Sequence, residues 1–418
     1  MNPTNTSQSF EPQLPQFDNT EKAFAHLDSV QLRKAYWLFK TVGNPWLVKG
    51  GKVLMNLALA LRIPVAWAIR PTVYSHFCGG ETIEGCEKTV SSLTQNGVST
   101  ILDYSAEGKE NERELNATCE EIARAIDATR GDSRHAFSVF KVSGVASTGL
   151  LESVASQLVL DSDLQSQAPQ LDSAQASAWE RVQNRVASLC AKAAECETPI
   201  FIDAEETWLQ PAIDALALEA MRLHNREKAI VFNTVQLYRT DRLDYLKKLT
   251  ALAQDSGFRV GVKLVRGAYM EKERARATER GYVSPIQLNK SATDRDFNAA
   301  IRWCLDHIAD VSFCAGSHNE ESNALLCQWM LEANIDPSDD RIWFAQLLGM
   351  SDPISFNLSA HAYNVAKYVP YGPIRETIPY LIRRAEENTS VAGQTSRELE
   401  LIQREVKRRQ ARSHRDSS

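Results

Sequence analysis

The sequence predicts an α/β protein built as a closed (β/α)8 barrel, and three observations carry that prediction. Eight short runs rich in Val, Ile and Phe recur along the chain. They are "STILDY" (99–104), "AFSVFK" (136–141), "PIFID" (199–203), "AIVFNTVQ" (229–236), "RVGVKLV" (259–265), "VSFCAG" (311–316), "RIWFAQ" (341–346) and "VAKYV" (365–369). Between most of them lie longer stretches with helical spacing, such as "RLDYLKKLTALAQDSG", which ends on Gly257, a natural helix C-cap. Strand alternating with helix implies a parallel sheet, and eight such units suggest closure. The third observation is a polar or charged residue near the C-terminal end of every run: Asp103, Lys141, Asp203, Gln236, Lys263 with Arg266, His318 with Asn319, Gln346 and Tyr368. Barrel strands otherwise supply Val, Ile and Leu, and their C-terminal ends are where barrel enzymes place reacting groups. The pattern favours an enzyme.

In chain order, residues 1–20 are polar, Pro-containing and free of Arg. They match neither a secretory signal nor an Arg-rich transit peptide, and read as a disordered arm. Residues 21–95 read as a helical region packed on the barrel. Within it "VLMNLALALRIPVAWAI" (53–69) is the most apolar stretch; Arg62, Pro64 and its length argue against a spanning helix. Two readings stay open there, a helix packed on the protein and a surface in peripheral contact with membrane. The barrel occupies 96–395. Its segment 161–196 is too long for one barrel helix and reads as a polar insertion followed by a helix. Residues 396–418 form a basic tail, read as a solvated helix end or, less simply, as a site of attraction to anionic lipid.

With 418 residues, 43% of them apolar, the chain can bury a large core. A net charge of −6 argues against nucleic acid as the main partner. Eight scattered cysteines without CxxC or paired His/Cys spacing make a zinc site or disulfide framework unexpected, so no metal site is assigned. No P-loop, G-x-S-x-G or G-x-G-x-x-G occurs, so any dinucleotide must be held by barrel loops.

The strand-end groups are mainly donors and cations, which suits an anionic small molecule. After the last run, "PYLIRRAEEN" (379–388) sets Arg383 beside Arg384, with Glu387 four and three positions further on. One carboxylate can face both guanidinium groups and lower the repulsion of two cations that converge on one ligand. A solvent-facing helix with ordinary ion pairs is the equal alternative.

"GVKLVRGAYMEKE" (261–273), "FAQLLGMSD" (344–352) and "KYVPYGPIRETIPYLIRRAEENTS" (367–390) together resemble proline dehydrogenase, in its monofunctional, mitochondrial-type branch. "LDYSAEG" (102–108), "FIDAEE" (201–206), "NTVQLY" (233–238) and "GSHN" (316–319) fit the same family in order, over about 77–395. The resemblance implies a distorted (β/α)8 TIM barrel with an N-terminal helical arm, binding FAD non-covalently. It implies oxidation of L-proline to Δ1-pyrroline-5-carboxylate, with electrons passed to a membrane quinone. The implied location is the bacterial cytoplasm or the inner face of the inner membrane, or the mitochondrial matrix side if the source is eukaryotic. Arg383, Arg384 and Lys141 would bind the proline carboxylate, and Glu387 would hold the arginines. Leu347, Tyr368 and Tyr380 would wall the ring, with Asp203 and Tyr269 in support. Gln236, Lys263, Gly267, Ala268, Tyr269, Ser317, His318 and Asn319 would line the flavin. The bifunctional bacterial branch carries Arg where Lys263 stands, so the contact beside the flavin differs in geometry. Hydroxyproline-oxidising relatives carry a small residue where Tyr368 stands, which favours proline. A Schiff-base lyase using Lys141 or Lys263, and a binding protein that kept the barrel, remain the competing classes.

Overall fold

The computed structural model describes residues 14–42, 46, 50, 66–105, 109–158, 164, 168–390 and 394–416, without the side chains of 42, 66, 68, 385–390, 394–396 and 413–416. Eight parallel strands close in chain order: β1 Ser99–Tyr104, β2 His135–Lys141, β3 Ile200–Asp203, β4 Val231–Gln236, β5 Val260–Val265, β6 Val311–Gly316, β7 Ile342–Leu347 and β8 Val365–Tyr371, with β8 pairing β1. All eight strands match the expected runs within two residues at each end. β8 runs on to Tyr371, so Tyr368 lies inside the barrel rather than at its rim. The helix after β4, Arg242–Ser256, ends as expected on Gly257 in the left-handed conformation (φ 71°), whose N–H donates to the Ala253 carbonyl at 2.8 Å.

Alternation along each strand sorts the side chains. One set forms the large apolar layer between sheet and helices, including Leu102, Phe140, Ile202, Val235, Leu264 and Val369. The other fills the barrel: Ile101, Phe137, Val139, Phe201, Phe232, Cys314, Ala345 and Tyr368 form one buried cluster. Its lower part is aromatic, with Phe137 stacked on Phe201 at 4.2 Å and edge-on to Trp343 and Phe232. Towards the C-terminal ends the same inward positions become Lys141, Asp203, Lys263 and Tyr368. The register fixes them as neighbours: Lys141 opposite Asp203, and Leu347 opposite Tyr368.

The helix expected after the insertion is Ser173–Glu195, capped by Asp172, whose carboxylate accepts from the Gln175 N–H at 2.8 Å. Before the barrel, Ser29–Val42 is a helix; the apolar stretch 53–69 lies outside the described residues except for Ala66–Ile69. Residues 1–13 also lie outside. The basic tail departs from a solvated end. Gln394–Asp416 is a helix whose Leu401 and Ile402 are buried against Phe24, Leu32 and Phe39 of the arm. Arg409 donates to the carbonyls of Leu27 and Phe24 at 2.7 Å each. The two apolar residues preceding the cationic run give this helix a face to bury.

Candidate active site at the barrel mouth

Asp203, the last residue of β3, faces inward at the centre of the mouth. Lys141, the last of β2, donates to its Oδ2 at 2.8 Å, and Lys263 of β5 donates to its Oδ1. Lys263 also bonds the Tyr368 hydroxyl, which lies 3.4 Å from the same carboxylate oxygen. Four strands on different sides of the barrel thus deliver one cluster. Burial works to raise the Asp203 pKa, yet Lys141 and Lys263 overcome it and hold the carboxyl down at about 2. Burial, then Asp203, drives the Tyr368 phenol well above its usual range, so it stays a neutral donor. Tyr368 stacks parallel to Phe201 with centroids 6.2 Å apart, and the Lys263 ammonium sits 4.6 Å from the Tyr368 ring centre.

Two other carboxyls follow at once in "DAEE". Glu205 is buried; its Oε1 accepts from the Ser143 N–H at 2.9 Å, and Oε2 accepts from the Ser143 hydroxyl. With no cation bonded to it, burial pushes it up to about 7. Its backbone carbonyl accepts from the Gln236 amide at 2.7 Å, which fixes that strand-end residue. Residue-type reasoning missed Glu205, although it stands in a quoted motif: three acids in four positions at a strand end cannot all face water.

On the other side, Arg266 links the ends of β5 and β6. It donates to Asp294 (2.7 Å), the Ser317 hydroxyl (2.7 Å) and the Ser322 hydroxyl (2.8 Å). Asn319 caps the helix Glu320–Glu332 by accepting from the Ser322 N–H at 2.9 Å. His318 bonds the Ser351 hydroxyl through Nδ1 at 2.9 Å. Burial first, then the nearby Lys367, Arg384 and Arg266, depress His318 to about 3, so it is neutral. After β5, Gly267 has φ 131°, and a Cβ there would lie 2.4 Å from the Tyr238 ring. Only glycine lets the chain turn this closely over Tyr238, leaving Gly267 and Ala268 exposed and Tyr269 half-buried. Gln346 departs from the strand-end expectation. It belongs to the outward set, donating to the Ser317 carbonyl at 3.1 Å and accepting from Ser355 at 2.8 Å.

The helix after β8, Ile374–Ser390, carries the arginine pair. Tyr380 packs with Ile378 and Met350 next to Leu347, and the Arg384 guanidinium sits 5.1 Å from the Tyr380 ring centre. Arg384 is buried and Arg383 half-buried. The charge of Arg384 is felt at His318, which places it near the residues that follow β6. The side chain of Glu387 lies outside the described residues, so its expected grip on the arginines has no structural counterpart here. Lys367, a lysine on the outward face of β8, was also missed. It is fully buried and donates to the Met350 carbonyl and Asp352, each at 2.6 Å, pinning the loop after Leu347. Parity was the available signal: an outward barrel lysine lies under a helix and needs a buried partner.

A family model described as proline dehydrogenase matches residues 86–397, three-quarters of the chain. The chain belongs to the proline dehydrogenase family. Human mitochondrial proline dehydrogenase 1 is 40% identical over 66% of this chain and 45% of its own length. Proline dehydrogenase 2 of Arabidopsis thaliana is 30% identical over 96% of this chain and 93% of its own. The carbapenem antibiotics biosynthesis protein CarD of Pectobacterium carotovorum is 34% identical over 81% and 84%. Among solved structures, proline utilization A from Bdellovibrio bacteriovorus, inactivated by N-propargylglycine, shares the fold with a TM-score of 0.67 at 19% identity. That match covers 90% of this chain and 38% of the other, so this proline dehydrogenase family member spans well under half of that protein.

Proposed function

We propose that this chain oxidises L-proline to Δ1-pyrroline-5-carboxylate with bound FAD, the electrons leaving to a membrane quinone. The observation that carries the reading is the meeting, at one barrel mouth, of the Lys141–Asp203–Lys263–Tyr368 cluster with the helix bearing Arg383 and Arg384. The arginine pair suits the substrate carboxylate, since two guanidinium forks fix its plane. Leu347, Tyr368 and Tyr380 supply apolar surface for the ring. The donor set fits a flavin: Lys263, Gln236 and neutral His318 on strand ends, Ser317 and Asn319 at a helix N-terminus, and open backbone at Gly267–Ala268. When bound, FAD supplies the hydride acceptor. This chain's residues do the rest. Arg383 and Arg384 hold the carboxylate, Tyr368 sets the ring's depth, and Asp203 locks the two lysines so that a cation stands beside developing negative charge.

Hydride loss requires a neutral amine. Asp203 is tied to two lysines and Glu205 is turned to Ser143, so neither of these two carboxyls is placed to take the amine proton, which we assign to water. Turnover then rises with pH. The lyase alternative is disfavoured because both lysine nitrogens are tied to Asp203. A hydroxyproline dehydrogenase of Xenopus laevis is 29% identical; the bulk of the buried Tyr368 side chain favours proline over a hydroxylated ring. The test is the spectrum of the purified protein and its bleaching by proline without oxygen. A colourless preparation that takes up no added FAD ends this reading. Arg384→Met should raise KM for proline roughly 10- to 100-fold with flavin retained, the loss of a charge-assisted bond.

A further inference from the structure

All the strongly exposed tryptophans among the described residues precede the barrel. Trp37, Trp46 and Trp67 are 61%, 84% and 77% exposed. Trp179, Trp208, Trp303, Trp329 and Trp343 all pack against the core. The helix Ser29–Val42 shows why Trp37 stays outside. Leu32, Ala35 and Phe39 form its buried face, turned to the tail helix Gln394–Asp416. Its opposite face carries Val30 and Trp37, two turns apart, with Lys34 between them. The helix contains Arg33, Lys34 and Lys40 and no acidic residue, in a chain of net charge −6. Lys40 stands 4.9 Å from the Trp37 ring centre. On the second arm element, Ile69 is buried against the Arg383–Arg384 helix through Ile378 and Leu381, while Trp67 points outward. The sequence between these elements is the most apolar in the chain. Among the described residues, no helix is long and apolar enough to cross a membrane.

Indole rings flanked by cations suit the headgroup layer, where an amphipathic ring and phosphate charge coexist. Between the N-cap Asp28, which accepts from the Val30 and Gln31 N–H groups, and the end of the helix, this face combines exposed Trp with cations and no acid. We propose that the N-terminal arm is the face by which this protein lies on an anionic lipid bilayer, with Trp37 and Trp67 entering the interface and Arg33, Lys34 and Lys40 meeting lipid phosphates. The occupant is a bilayer surface rather than a second copy of the chain, because two such faces would set cation against cation. This goes beyond proline oxidation and rests on it only for the use of a bilayer: quinone lives there, and the arm packs on the helix that carries the arginine pair.

The test is sedimentation of the full-length, flavin-loaded protein with vesicles of phosphatidylcholine plus phosphatidylglycerol, against phosphatidylcholine alone. Binding is expected only to the anionic vesicles and is reversed by salt. Arg33→Gln with Lys34→Gln should weaken it roughly 25-fold. Trp37→Ala with Trp67→Ala should weaken it by at least about tenfold. Both double variants should keep proline turnover with a water-soluble dye, which controls for folding. No sedimentation of the parent protein overturns the proposal, as does undiminished binding by both double variants. A parent dimer that the tryptophan variant dissolves, without vesicle binding, also overturns it in favour of a second copy. Because vesicle binding needs no turnover, failure here leaves proline oxidation standing, and failure of dye reduction in the parent counts against that reading alone.

Discussion

Asp203, Glu205 and Glu206 are three carboxyls within four residues at the end of one strand, and each meets a different environment. Asp203 is bonded by two buried lysines and is held ionised. Glu205 is at least as deeply buried but meets only Ser143, and burial lifts it to about 7. Glu206 pairs with Lys272, whose side chain is 63% exposed. Burial alone therefore does not set charge at this mouth; the count and depth of the facing cations do.

The largest way to break that contrast is Asp203→Ala. It leaves Lys141 and Lys263 facing each other without an anion and should cost about 3–5 kcal/mol of stability, read by urea unfolding, along with most proline turnover. A loss below about 1 kcal/mol would show that the lysines find other partners. Next comes Glu205. Its folded pKa is raised, so its contribution is whole below the unfolded value near 4.5 and is lost as pH climbs through about 7. The loss is on the order of 3 kcal/mol. Glu205→Gln should flatten that slope, leaving the part due to Glu398, which burial and then Asp352 push to about 8. An unchanged slope in the variant would place the titration elsewhere. Asp203 acts in the opposite sense: its stabilisation is present above about 3.8 and disappears as pH falls through about 2. That acid limb is worth about 2 kcal/mol and should vanish in Asp203→Asn. Lys272→Ala is the smallest, below about 1 kcal/mol, because its ion pair is solvated. A larger loss would mean that Glu206 is held by more than a surface charge.

Much of the barrel was legible. A strand buried on both faces reads as a continuous Val/Ile/Phe run, and all eight runs were located to within two residues; β8 continued furthest past its expected end, through Pro370 to Tyr371. The strand-end list was legible too, since a Lys or Asp closing an apolar run stands out. The direction of those side chains was less so. Gln346 and Lys367 looked like site residues or nothing at all, and inward–outward parity assigns both to the layer beneath the helices. The tail was misread because its cations outnumber Leu401 and Ile402, the two residues that decide its docking.

The sequence by itself determined that the chain alternates strand and helix, that cations gather where strands end, and that two arginines follow the last strand. These are local properties of composition and period. Tertiary structure alone decided that Asp203 is held ionised while burial lifts Glu205, that Lys141 and Lys263 share Asp203, and that Arg384 comes to lie near His318. Each depends on groups brought together from distant parts of the chain, and electrostatic energy depends on distance and burial rather than on order in the sequence.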